Sequence, residues 1–169
     1  MNFEFSADQM QLKDIARKFL EKEDSVKRAR NVLEGEASYD EDLWSQIIEM
    51  GFTATAIPEE YGGLGLGYLE LCVIAEELGR SLAPTPFSSS VYLATEAILN
   101  FGDDSTKQAF LPALASGEKI GAFAHSESNT SPTEANIECT YSGGAISGTK
   151  IAVVDGDVAH VYIVTAKNG

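Results

Sequence analysis

Cysteine and histidine are scarce in this chain of 169 residues, which contains two of each. Cys72 and Cys139 lie far apart, and we expect them to be two reduced, buried thiols rather than a disulfide. His125 and His160 do not cluster with the cysteines at the spacing of metal ligands. The sequence therefore predicts no metal site.

Basic residues are also few, with 12 Lys and Arg against 26 Asp and Glu and a formal net charge of −14. Nucleic acids and anionic membranes are bound through clustered Lys and Arg, and the densest basic group, Lys27, Arg28 and Arg30, is flanked by acidic residues. No signal peptide or long apolar span is evident. We expect a cytoplasmic protein that binds neither nucleic acid nor a membrane.

Apolar residues make up 44% of the chain, which is enough to form a core. Their spacing is helical up to about residue 115 and typical of strands from residue 120 onward. This change predicts an α+β chain, with an N-terminal all-α helical domain over 1–117 and the beginning of an antiparallel β domain over 118–169.

The pattern predicts particular elements within each part. Helices are expected at 6–20, 40–50, 68–78, 86–101 and 105–111. Strands are expected at 120–125, 136–141, 145–147, 150–154 and 159–166. The last strand is apolar at nearly every position, which is typical of a strand covered on both faces. The pairs at 143–144 and 155–156 are typical of hairpin turns.

Individual motifs have ordinary structural interpretations. Four glycines at 62–67 lack the GxGxxG spacing of a nucleotide loop and favour a tight turn. Glu77 lies beside the apolar face of its helix, where Arg80 could pair with it. No GxSxG motif supports a hydrolase. The polar stretch 121–130 fits either a surface loop or the edge of a polar cofactor.

Several segments together resemble the acyl-CoA dehydrogenase family. Residues 58–65 (PEEYGGLG) and 76–80 (EELGR) look like one of its sequence blocks, and 108–117 (QAFLPALASG) looks like another. Residues 148–150 (GTK) fit a strand of its middle domain. The segments occur in the family's order and span essentially the whole chain.

The resemblance implies an N-terminal helical domain and a middle β domain, with the C-terminal helical bundle of the family absent from these residues. Family members bind FAD and oxidise an acyl-CoA thioester between its α and β carbons. A glutamate of the C-terminal domain takes the α-proton, and the flavin takes the β-hydride. No catalytic residue is therefore expected within this chain, and the chain alone is expected to be inactive.

The resemblance also implies positions that contact the cofactor and the substrate. The cofactor-binding positions are Phe123, His125, Ser126, Ala152 and Val154, and the substrate-binding position is Pro132. Three of these positions depart from the family pattern. Ala152 replaces an aromatic residue, Val154 replaces a hydroxyl residue, and Pro132 replaces a serine and has no N–H. FAD binding is therefore expected to be weak or lost.

Three hypotheses remain open. The chain is part of a working FAD-dependent acyl-CoA dehydrogenase, or part of a flavin-poor subunit that shapes a CoA or acyl pocket in a hetero-oligomer. A third alternative is a non-catalytic helical scaffold. The first two imply an acyl-CoA ligand and a homo- or hetero-oligomer of acyl-CoA dehydrogenase-like subunits.

Overall fold

A computed structural model describes residues 4–128, 133 and 136–169. Helices fill the first part and short strands the second. The α-helices are α1 Ala7–Lys22, α2 Ser25–Glu34, α3 Glu41–Glu49, α4 Tyr68–Arg80, α5 Glu96–Phe101 and α6 Asp104–Ala115, and a π-helix spans Ser88–Thr95. The strands are β1 Gly121–Ala124, β2 Thr140–Ser142, β3 Ala145–Ser147, β4 Val161–Val164 and β5 Lys167–Asn168.

The expected change from helices to strands is confirmed, since the last helix ends at Ala115 and the first strand begins at Gly121. The division into domains at 117/118 stays a prediction. Helix α1 begins with a capping box, in which the Ser6 hydroxyl accepts from the Gln9 N–H and the Gln9 side chain accepts from the Ser6 N–H. Such reciprocal bonds satisfy donors that the first helical turn leaves unpaired.

Helix α2 was not predicted, because its sequence lacks the apolar stripe by which a helix is usually recognised. It buries only one residue, Ser25, and its remaining side chains are mostly charged or exposed. An apolar stripe of the usual width is therefore absent from its pattern. Arg28 stabilises the position of the helix instead, because its guanidinium donates hydrogen bonds to the carboxylates of Asp40 and Glu23.

The predicted helix at 86–101 is present but is wound differently over its first two turns. Residues Ser88–Thr95 form a π-helix that continues into α5. A π-helical segment is rare and often lies near functional sites. The periodicity of the sequence does not distinguish it from an ordinary helix.

The helical part is held by two apolar clusters. The larger contains Leu20, Leu43, Trp44, Ile47, Phe52, Ile74, Phe87 and Ile120 among its buried residues. The smaller contains Ile57, Tyr61, Ile98, Leu111 and Leu114, and Ile163 of β4 packs against it. Because each cluster includes or contacts a residue from the strand region, both connect the helices to the strands. Burying each large apolar side chain contributes about 1.5–3 kcal/mol.

The glycine run forms the tight turn that was predicted. Gly62 and Gly65 have left-handed φ values of 80° and 62°, and an added Cβ at Gly63 would lie 1.9 Å from the carbonyl oxygen of Ile57. The N–H of Gly65 donates to that carbonyl at 2.9 Å. Glycine is therefore required by a close approach of backbone to backbone.

The strands form two small sheets among the described residues. Strands β2 and β3 pair antiparallel through the Gly143-Gly144 turn, as expected. The other pairings differ from the antiparallel expectation, since β1 pairs with β4 and β2 pairs with β5 in parallel. Both parallel pairs join segments that are distant in sequence, and the local pattern does not reveal their direction.

Three expectations for individual residues are wrong. The predicted strand at 150–154 is an irregular segment, in which Ala152 has a left-handed φ of 50° that no regular strand allows. The last strand is not covered on both faces, because Tyr162 is 50% exposed. Cys72 is exposed on α4, whereas Cys139 is buried as expected, and both are free thiols. No helix among the described residues is long and apolar enough to cross a membrane.

The side chain of Glu77 of α4 is completely buried. Its carboxylate accepts two hydrogen bonds from Arg17 of α1, at 2.6 and 3.0 Å, and a third from Arg80 at 2.9 Å. The expected pairing with Arg80 is therefore present, and Arg17 is an additional partner. The guanidinium of Arg17, opposed by burial and aided by Arg80, lowers the Glu77 pKa to about 2. This network joins the two helices that contact each other most extensively.

Replacing Glu77 with Gln should lower the free energy of unfolding by about 2–3 kcal/mol, since the two arginines lose a buried carboxylate. The neighbouring Glu76 offers a matched control. It is 54% exposed and pairs with Lys13, so Glu76→Gln should cost less than about 1 kcal/mol. Urea denaturation at neutral pH measures both changes, and equal effects would contradict this account.

The same network predicts a dependence on pH. Because the pKa of Glu77 is lower in the folded state, its contribution to stability is fully present above about pH 4.5. That contribution is lost as the pH falls toward about 2. The difference in stability between the wild type and Glu77→Gln should therefore shrink on acidification, and a difference that grows would contradict the assignment.

Candidate functional site

The segment that follows β1 carries three of the predicted cofactor-binding residues. Phe123 is the third residue of the strand, and His125 and Ser126 come directly after its end. The rings of Phe123 and His125 stack with centroids 5.7 Å apart and planes 20° apart. The Ser126 carbonyl accepts the N–H of Ile151 at 2.8 Å. The structure thereby brings His125 and Ser126 beside the second predicted segment.

Lys150 stabilises this arrangement through its ammonium group, and its side chain as a whole is 8% exposed. Its nitrogen donates to the His125 carbonyl at 3.1 Å, to the Glu127 carboxylate at 2.6 Å and to the Thr165 hydroxyl at 3.1 Å. An ammonium has three N–H donors, so each has one acceptor. The three acceptors lie on the loop after β1 and just beyond β4, which fixes the loop against both.

Glu127 completes the network on the other side of the loop. The Glu127 side chain is 10% exposed, and its carboxylate accepts hydrogen bonds from the backbone N–H groups of Glu138 and Cys139 and from the Lys150 ammonium. The hydrogen bond from Lys150, followed by the one from the Glu138 N–H, lowers the Glu127 pKa to about 2. The Glu127 carboxylate is therefore charged at neutral pH, and five hydrogen bonds compensate the burial of the Glu127 and Lys150 side chains.

The other residues predicted to bind the cofactor or the substrate are either exposed or outside the described residues. Ala152 is exposed in its left-handed conformation, and Val154 is 54% exposed. Pro132 lies outside the described residues. The side chain of Lys150, at the start of this irregular segment, points inward to its three acceptors.

Two cavities adjoin this segment. One is an open cleft of about 540 Å³ in the strand region, lined by Ala124, Cys139, Lys150, Val153, Tyr162 and Val164 among others. The other, about 250 Å³, lies between the π-helix, α5 and the ring of Phe123. Its lining is mainly apolar, with Leu93, Ala97 and Phe101, and includes the polar side chains of Glu96 and Asn100. Among the described residues, no group of acidic, histidine or cysteine side chains could hold a metal ion.

Glu96 and Thr165 were not identified from the sequence. Glu96 accepts from the Tyr68 hydroxyl at 2.9 Å through one carboxylate oxygen, while the other is buried without a hydrogen-bond partner. In the sequence it appears as one acidic residue of a very acidic chain. Thr165 lies just beyond β4, and its role depends on the parallel pairing with β1, which the local pattern does not reveal.

Comparison with known proteins identifies the class. Residues 6–118 match the model of the acyl-CoA dehydrogenase N-terminal domain. That match covers more than half of the chain, which therefore belongs to the acyl-CoA dehydrogenase family. The resemblance carried by the sequence blocks is thus confirmed, as is the expected order of a helical domain and the start of a β domain.

Particular relatives extend the likeness to nearly the whole chain. Mitochondrial isovaleryl-CoA dehydrogenase of Arabidopsis thaliana is 32% identical over 96% of the chain, but the chain spans only 41% of that protein. The structure of an acyl-CoA dehydrogenase complexed with FAD from Bacillus anthracis has a TM-score of 0.86 and 26% identity, covering 98% of this chain and 30% of that one. The ChsE4–ChsE5 complex from Mycobacterium tuberculosis includes a chain with a TM-score of 0.86 and 26% identity, covering 99% of this chain and 46% of that one.

The left-handed conformation of Ala152 gives a testable prediction. Glycine adopts this conformation without the steric cost that alanine bears, about 1–2 kcal/mol, although it also increases the entropy of the unfolded chain. Ala152→Gly should therefore stabilise the chain by about 0.5–1 kcal/mol. The matched control is Ala145→Gly in β3, where glycine should destabilise by a similar amount. Thermal unfolding distinguishes the two, and a destabilised Ala152→Gly would contradict the conformation.

Proposed function

We propose that this chain is the N-terminal part of an FAD-dependent acyl-CoA dehydrogenase that removes hydrogen from the α and β carbons of an acyl-CoA thioester. The observation that carries the proposal is the combination of family membership with a rigid segment at 123–126, where the resemblance implies flavin contacts. The buried Lys150 and Glu127 fix this segment. The wider setting proposed is lipid metabolism in the cytoplasm, without nucleic-acid or membrane binding.

The residues present fit one edge of a flavin. His125 and Ser126 offer backbone, hydroxyl and imidazole groups, and their loop is anchored at both ends by hydrogen bonds. When bound, FAD would supply a hydride acceptor. The chain's own contribution would be to orient that edge with donors whose positions are already fixed, so that little ordering is needed on binding.

The second segment of the proposed flavin site, which contains Ala152 and Val154, offers fewer flavin contacts than the family pattern implies. Ala152 offers no aromatic surface, and Val154 offers no hydroxyl. A stacked aromatic contributes about 1 kcal/mol beyond its buried area, and a hydrogen bond contributes about the same. Together with the donor missing at Pro132, the deficit is about 3 kcal/mol, or roughly a hundredfold in affinity. We therefore propose that this chain binds FAD weakly.

The departures from the family pattern at Ala152, Val154 and Pro132 also favour a second candidate function. In this alternative the chain belongs to a flavin-poor subunit that shapes a CoA or acyl pocket for a catalytic partner. The mainly apolar cavity between α5 and Phe123 would suit an acyl group. In addition, one similar solved structure is the complex of ChsE4 with ChsE5. The proposed partners are acyl-CoA and acyl-CoA dehydrogenase-like subunits in a homo- or hetero-oligomer.

Mixing experiments separate the two candidates. A self-sufficient flavoprotein should retain FAD absorbance when purified alone in its full-length form. A flavin-poor subunit should be colourless alone and should acquire activity only with a co-expressed homologue. Thermal unfolding with acyl-CoA tests both, because a ligand that binds the folded state raises the midpoint. No shift with acyl-CoA would favour a scaffold without this function.

The chain of 169 residues is expected to be inactive by itself. The resemblance assigns the proton-accepting glutamate to a region of the family that these residues do not match. An assay with acyl-CoA, FAD and an artificial electron acceptor should therefore show no turnover. FAD-dependent reduction by the purified chain would contradict the assignment of the base to another region.

Restoring a hydroxyl should strengthen FAD binding. Val154→Thr places a hydrogen-bonding group where the family has one, and one such bond corresponds to about a fivefold lower Kd. The control is Val153→Thr, which should give no gain because Val153 lines the cleft of the strand region and is not among the implied flavin contacts. Ala152→Trp is expected to be strained, since a bulky residue is unfavourable at a φ of 50°. Flavin fluorescence titration measures each Kd, and equal gains at 153 and 154 would contradict the assigned position.

A further inference from the structure

Two consecutive serines of the π-helix, Ser89 and Ser90, are buried, with 0% and 1% of their surface exposed. Consecutive side chains of a helix point in different directions, so the two hydroxyls reach different parts of the chain. One contacts the chain just before residues 123–126, and the other contacts it just after residues 150–154. These are the two segments proposed to meet the flavin.

Ser90 contacts the beginning of β1. Its hydroxyl oxygen accepts the backbone N–H of Gly121 at 3.1 Å. The approach is close, because a Cβ added at Gly121 would lie 2.5 Å from the Cβ of Ala94, which is also in the π-helix. The strand is therefore packed directly against the π-helix at the residue from which it leads to Phe123 and His125.

Ser89 contacts the second segment through Asp155. The Ser89 oxygen lies 2.6 Å from a carboxylate oxygen of Asp155 and 3.0 Å from the carbonyl oxygen of Pro86. The hydroxyl has one proton to donate, and the shorter of the two contacts is with the carboxylate. Asp155 directly follows Val154 and has a left-handed φ of 53°, so the contact fixes the segment where the chain turns.

The turn that begins at Asp155 has two other side-chain contacts. The Ser38 hydroxyl donates to the Asp157 carboxylate, and the Tyr162 hydroxyl donates to the Gly156 carbonyl at 2.7 Å. Loss of the Ser89 hydroxyl is therefore expected to loosen the turn without releasing it.

We propose that Ser89 and Ser90 are positioning residues, which set the two segments relative to each other by fastening both to the same π-helix. The placement rests on the hydrogen bonds, whereas its use toward the flavin rests on the proposed function. A flavin edge that meets both segments binds more tightly when their separation is already set, because less ordering is needed on binding. The π-helix, a rare conformation often found near functional sites, would thus support the site from behind.

Replacing each serine with alanine tests the proposal, and Thr53→Val is the matched control. Thr53 is 1% exposed, and its hydroxyl donates to the Ala115 carbonyl at 2.8 Å, so this variant also loses a buried hydrogen bond between distant parts of the chain. All three variants should lower the midpoint of thermal unfolding. Only Ser89→Ala and Ser90→Ala should raise the Kd for FAD, by about two- to fivefold, since one hydrogen bond corresponds to about fivefold.

Hydrogen exchange of backbone amides, followed by NMR without FAD, tests the placement separately. The Gly121 N–H should exchange faster in Ser90→Ala, because Ser90 is its acceptor. The Gly156 N–H, which donates to the Val153 carbonyl within the turn, should exchange faster in Ser89→Ala. Thr53→Val should leave both rates unchanged.

Variants of Asp155 distinguish positioning from a general loss of stability. Asp155→Asn retains an acceptor oxygen and tolerates the left-handed conformation, so its Kd for FAD should stay near that of the wild type. Asp155→Gly allows the conformation but removes the acceptor, and it should match Ser89→Ala. Because both changes break the same contact, the double variant Ser89→Ala/Asp155→Gly should bind FAD no more weakly than either single variant.

Unchanged exchange at Gly121 and Gly156 in the serine variants would overturn the placement. If exchange accelerates but the Kd for FAD stays the same, or rises equally in Thr53→Val, the use toward the flavin is overturned. If Ser89→Ala does not fold, Asp155→Gly and Asp155→Asn decide the same question from the other side of the contact. If the wild type binds no FAD, the proposed function fails, and the exchange rates still decide the placement.

Discussion

The buried ammonium of Lys150 is the interaction on which the candidate site depends. Its three N–H groups reach a backbone carbonyl, a carboxylate and a hydroxyl, and these acceptors belong to the loop after β1 and the end of β4. A buried charge is stable only if it is paired and hydrogen-bonded, so the surrounding chain must supply these partners. This requirement accounts for the inward path at residue 150 and for the fixed position of His125.

A second buried ionic network has a different role. Glu77 with Arg17 and Arg80 joins α1 to α4 far along the chain from the strand region. It joins α1 to α4 within the helical part, whereas Lys150 and Glu127 connect the loops of the strand region to one another. The two networks share no residue, so changes in the segments proposed to contact the flavin, such as those at 152 and 154, need not disturb the contact between α1 and α4.

Much of the helical part could be predicted from the sequence, because its signals are local. The Ser6 cap, the glycine turn and the pairing of Glu77 with Arg80 all involve residues a few positions apart. Helix α2 was missed because a single residue of it is buried, and Arg28 replaces an apolar face. The prediction of a strand at 150–154 was wrong, because an alternating pattern of apolar residues does not reveal that Ala152 has a left-handed conformation. The network around Thr165 depends on parallel pairing between distant strands, which no local pattern encodes.

We propose that a flavin contacts the segment fixed by Lys150. The most direct measurement is the change in backbone amide NMR shifts when FAD is added to the labelled chain. The account predicts changes concentrated at residues 123–126 and 150–154, with the α1–α4 interface around Glu77 unaffected. Changes concentrated instead at the helical cavity lined by Leu78, Phe87 and Tyr92, or no changes at saturating FAD, would contradict it.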